Sequence, residues 1–116
     1  MKKIFFLATF LVACLGFSQE KRTVYERSGD LVKATYYNEE GKISVQGFFK
    51  DKKLTGKWVS FDNTGKKKQI AYYKKGKKVG KWIIFEKNSI KEINYDDNII
   101  VSVQDWKSEA HRLANN

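Results

Sequence analysis

Residues 41–61, GKISVQGFFKDKKLTGKWVSF, lie over residues 65–85, GKKKQIAYYKKGKKVGKWIIF, at a constant offset of 24 without a gap. The superposition brings Gly41 onto Gly65, Phe48 and Phe49 onto Tyr72 and Tyr73, Gly56-Lys57-Trp58 onto Gly80-Lys81-Trp82, and Phe61 onto Phe85. One step back from Phe61 reaches Tyr37, and one step on from Trp82 reaches Trp106. Between those points Ile93 and Tyr95 match Ile70 and Tyr72 once one residue is dropped near Ser89, and one extra residue in the next turn restores the period. Like units of this length cannot each bury a core alone, so a chain built this way has to stack them, each leaning on the next.

Within a unit the side chains alternate with the period of a strand. Ile43, Val45, Gly47 and Phe49 fall on one side, opposed by Ser44, Gln46 and Phe48; Trp58 and Ser60 oppose Val59 and Phe61; Ile70 and Tyr72 oppose Ala71 and Tyr73. Turn formers separate these runs at Asp51-Lys52-Lys53, Asp62-Asn63-Thr64-Gly65, Lys75-Gly76-Lys77 and Asp96-Asp97-Asn98. The pattern predicts an all-β chain: an elongated antiparallel sheet of stacked hairpins, about eight strands between Thr23 and Trp106. The tail Lys107–Ala114 reads as a short C-terminal helix, with Trp106, Ala110 and Leu113 on one face. Trp58, Trp82 and Trp106 are the rings expected to carry the stacking.

The amino terminus has the three-part form of a secretory signal: Met1-Lys2-Lys3, the apolar run Ile4–Phe17, then Ser18 and Gln19. Its apolar run of fourteen residues is shorter than the ~20 of a spanning helix, and no later stretch comes close. The chain thus divides into a signal peptide, residues 1–18, and one repeat domain, residues 19–116, periplasmic or secreted. Leu11-Val12-Ala13-Cys14 also has the form of a lipobox, which would make Cys14 the acylated first residue of an outer-membrane lipoprotein. The apolar residues after it, Leu15-Gly16-Phe17, favour a plain signal cleaved near Ser18. With a single cysteine no disulfide forms within one chain, so packing alone must hold the fold. Loss of residues 1–18 removes Lys2 and Lys3 and leaves 21 basic against 13 acidic side chains, a charge of +8.

Catalytic and metal-binding patterns are missing from the sequence. His111 is the sole histidine, so no histidine-based triad can be assembled. Asp96-Asp97 lacks the glycine and glutamate of a calcium loop and reads as a turn. Gly76, Gly80 and Lys81 lack the spacing of a phosphate-binding loop. No set of zinc ligands is present, and no cofactor is expected.

An aromatic pair, a glycine turn, a second glycine turn and Gly-Lys-Trp, as in YYKKGKKVGKW, resemble the MORN-type repeat in its exported bacterial variant, and a family labelled as antitoxins. The resemblance covers residues 36–106 and implies a curved ladder of hairpins serving as a non-enzymatic scaffold or interaction surface, with some relatives linked to membrane lipids. Lys74, Lys75, Lys77, Lys78 and Lys81 read as a solvated face that guards the sheet against edge pairing. Tyr36, Phe48, Tyr72, Trp58 and Trp82 read mainly as wall and core. The candidate binding residues are Phe48, Trp58, Tyr72 and Trp82 with Lys74, Lys77 and Lys81. The leading expectation is protein or peptide interaction in the bacterial envelope. The alternatives are adhesion to anionic envelope lipid or polysaccharide, and antitoxin-like partner binding. Export disfavours nucleic acid.

Overall fold

The computed structural model describes residues 22–107. The proposed signal peptide, Cys14, His111 and the tail beyond Lys107 lie outside the described residues. The strands are β1 (Arg22–Ser28), β2 (Leu31–Tyr37), β3 (Ile43–Lys50), β4 (Lys53–Phe61), β5 (Lys67–Lys74), β6 (Lys77–Lys78), β7 (Gly80–Phe85), β8 (Ser89–Asp96) and β9 (Ile99–Lys107). They form one open antiparallel sheet in sequence order, with the short β6 beside β5. No helix occurs among the described residues, and Trp106 and Lys107, expected at the start of a helix, lie in β9.

Three tight hairpins share one turn. Asp51 and Lys52 have φ of 51° and 67°, Lys75 and Gly76 of 51° and 81°, and Asp97 and Asn98 of 47° and 74°. Two successive left-handed residues give the mirror-image turn whose twist matches that of the strands it joins. At the opposite ends of the strands Asn38 and Asp62 each fold a wider turn. Asn38 Oδ1 accepts from the amides of Glu40 (2.8 Å) and Lys42 (3.0 Å), and Asp62 Oδ1 accepts from those of Thr64 (2.8 Å) and Lys66 (3.0 Å). The Thr64 hydroxyl and these two amides hold the Asp62 carboxyl below its ordinary range.

The Gly-Lys-Trp triplet is not a turn. Gly56 (φ 67°) and Gly80 (φ 73°) are in-strand glycines where the pairing slips, between Gln46 and Phe48 of β3 opposite β4, and between β6 and β7 opposite β5. A left-handed glycine at such a bulge leaves part of the ladder unpaired. Each tryptophan bonds back to the bulge: Trp58 Nε1 donates to the Phe48 carbonyl at 3.0 Å and to the Thr55 carbonyl at 3.2 Å, and Trp82 Nε1 to the Tyr72 carbonyl at 3.1 Å, which also accepts the Val79 amide at 3.0 Å. Spacing alone cannot tell a bulge glycine from a turn glycine, because both need the same left-handed backbone.

Both indoles then lie over one side of the sheet, here called the indole face. Trp58 is 8% exposed and Trp82 6%, packed with Ala34 and Ala71. Trp58 meets Phe49 edge-on at 5.2 Å, Tyr36 at 6.4 Å and Tyr73 at 6.3 Å; Trp82 meets Tyr73 at 5.3 Å and Tyr95 at 4.9 Å. A continuous file of rings therefore runs from β2 to β8, as stacking requires. Burial pushes the Tyr73 hydroxyl above its ordinary pKa, with a smaller push from Tyr95.

The third unit departs from the expected register. Trp58 stands opposite Ala71, but Trp82 stands opposite Ile93, and Gly56 and Gly80 stand opposite Tyr73 and Tyr95. Ile93 and Tyr95 thus replace Ala71 and Tyr73, an offset of 22, and not Ile70 and Tyr72 as the sequence match implied. The turn Glu86–Ser89 is shorter than Asp62–Lys66, and the bulge between Ser60 and Phe61 has no counterpart beside it. A shift of two residues keeps a strand's faces, so the turn of Trp106 comes from the β8–β9 pairing, in which Val103, not Trp106, stands opposite Ile93. Trp106 pairs with Ile90, three positions from Ile93, so it lies on the face opposite Trp58 and Trp82 and is 51% exposed.

A candidate binding face

Strand alternation sorts the candidate residues into two sets. Trp58 and Trp82 are committed to the indole face, where their rings and N–H groups are already engaged. Phe48, Tyr72, Lys74, Lys77 and Lys81 all lie on the other side, the lysine face, together with Lys50, Lys53, Thr55 and Lys57. Phe48 and Tyr72 are half-buried, so each presents part of a ring among the lysines. Lys81 is partly occupied: its Nζ lies 3.6 Å from the better-buried Glu92 carboxylate.

The lysines sit in the middle of the ladder, not at its edges. Residues 42–85 carry thirteen lysines and two aspartates, a net +11; residues 22–41 carry three basic and four acidic side chains, a net −1, and residues 86–107 three and five, a net −2. Among the described residues the sheet edges are β1 and β9, whereas Lys74, Lys77 and Lys81 lie on β5, β6 and β7. The edge-guarding reading of this cluster is therefore corrected: a hairpin tip in such a ladder ends a strand but does not expose a strand's hydrogen-bonding side.

Hydrogen bonds between neighbouring tips hold the charges together. The Gly76 amide donates to the Leu54 carbonyl at 3.0 Å, and the Asn98 amide to the Lys78 carbonyl at 2.9 Å; the Lys78 amide donates in return to Asn98 Oδ1 at 2.9 Å. Between the first two tips lies a groove of about 490 Å³ lined by Lys50, Asp51, Lys53, Thr55, Lys74 and Lys75. Among the described residues none of these four lysines has a carboxylate within 4.0 Å. Like charges gathered without partners raise the local potential and favour an anion.

Lys78 stands apart from its neighbours. It occupies the place of Leu54 one repeat earlier and lies 5.2 Å from the ring centres of both Trp82 and Tyr95, on the indole face. That lysine extends the file of rings through cation–π contact. The repeat alignment held the signal, since a core leucine stands at the equivalent position. Among the described residues no three His, Cys, Asp or Glu side chains converge as metal ligands would, and no helix is long and apolar enough to cross a membrane. Comparison with protein-family models, with curated proteins and with solved structures finds no match for this chain.

Proposed function

We propose that this chain is an exported, non-enzymatic binding protein built of MORN-like repeats, and that the lysine face of its two central repeats adheres to an anionic surface of the cell envelope. The reading rests on one observation: a net +11 lies on interior strands and hairpin tips, where it has no role in guarding the sheet edges. Such a band gives up repulsion when it meets phosphate or carboxylate groups, and the attraction is screened by salt. The chemistry is shared by acidic lipid headgroups and acidic polysaccharide.

The test is co-sedimentation with phosphatidylglycerol-containing vesicles, and in parallel retention on an acidic polysaccharide such as alginate, as salt is raised. Binding should weaken steeply with salt in at least one arm, and the combined change of Lys50, Lys53, Lys74 and Lys77 to Gln should abolish it. Lipid and glycan are told apart by which arm responds.

A second reading, docking of a protein or peptide partner, draws support from the half-buried rings of Phe48 and Tyr72 among those lysines. It predicts association that is indifferent to salt and lost with Phe48→Ser and Tyr72→Ser. That outcome would replace the electrostatic reading.

A further inference from the structure

We infer that two copies of this chain pair edge to edge through β9, antiparallel, into one continuous sheet. The two edges of the ladder are unlike. β1, RTVYERS, bears Arg22, Glu26 and Arg27 along its length, the usual protection of an exposed edge. β9, IIVSVQDWK, has no charge from Ile99 to Gln104 and, among the described residues, is hydrogen-bonded only to β8. Five of the six exposed large hydrophobic side chains among the described residues are on it: Ile99, Ile100, Val101, Val103 and Trp106, each more than half exposed. The sixth is Tyr25 on β1.

Charge chooses the occupant. Two molecules, each carrying +11 across the central repeats, repel wherever those repeats approach. The β8–β9 end, residues 86–107 at a net −2, is the end with no excess of positive charge and an unguarded strand together. Contact there keeps the two basic bands at the far sides of the pair. Pairing β9 with β9 is also closed, since each copy uses the same strand, whereas β9 on β1 would leave a free β9 and grow without limit. The two-fold axis of an antiparallel strand pair runs perpendicular to the sheet, so both lysine faces point to the same side.

Analytical ultracentrifugation of the purified chain over a range of concentrations, with hydrogen exchange at both ends of that range, tests this. The expected result is a reversible dimer whose residues 99–107 gain protection as concentration rises while residues 22–28 do not. Val101→Lys with Val103→Lys should shift the chain to monomer at the same concentration with its β-sheet circular dichroism intact, and Tyr25→Lys on the other edge should leave the dimer unchanged. A monomer at every concentration overturns the inference, as does an oligomer that ignores the β9 changes. A monomer whose β9 amides are protected at all concentrations would mean that the chain's own residues 108–116 cover the edge. Because hydrogen exchange is read on the unaltered chain, a variant that fails to fold does not remove the test.

Discussion

Gly47 sits beneath the Trp58 indole, and a Cβ placed on it would fall inside the ring. Gly47→Ala should therefore force Trp58 aside and lower stability by about 1–3 kcal/mol, the usual range for overpacking, read as a lower melting temperature. The next repeat carries Ala71 at the same place, yet the equivalent ring contacts, Trp58 to Phe49 and Trp82 to Tyr73, are nearly equal at 5.2 and 5.3 Å. Lys52 makes the opposite case. It holds φ 67° where the following hairpin has Gly76, and Lys52→Gly should stabilise by about 1 kcal/mol in a denaturant melt. Tyr73 gives the ladder a pH dependence. Its raised pKa means that the folded state favours the protonated ring, so the stabilisation is complete below the ordinary value of about 10 and is lost as pH rises through the raised one. Melting temperature should fall across that alkaline window, and less steeply in Tyr73→Phe.

At the level of strands and hairpins, the period-two alternation placed nearly every residue of the first two repeats on its correct side. The third repeat escapes the sequence match because a turn one residue shorter, together with the missing bulge, changes partners without changing the residue types on view. Isoleucine and tyrosine at 93 and 95 suit either face, so composition gave no warning. Trp106 measures the consequence. Trp82→Ala should cost about 3–5 kcal/mol, as for other buried aromatics. Trp106→Ala, on the exposed strand, should stay within about 0.5 kcal/mol in the monomer. Equal losses in urea titrations of the two variants would contradict the register. The candidate face is half legible: its five residues are all named from sequence, but grouped with two tryptophans whose rings lie on the other side of the sheet.

For the molecule as a whole, a ladder that depends on nearest neighbours should accept another unit. Duplicating residues 41–64 should add two strands and lengthen the sheet by about 9–10 Å along its stacking direction, visible in small-angle scattering, without loss of cooperativity. A shorter or partly unfolded product would show that the units are not interchangeable. The segregation of charge was present in the linear sequence, yet its meaning depended on strand order: only when β1 and β9 are known to be outermost do the lysines become central.

Adjacent letters of each strand serve separate ends, one set meeting neighbours over the indoles and the other meeting whatever lies outside. Variation can therefore rewrite what the protein greets, one position in two, while the scaffold beneath stays as it was.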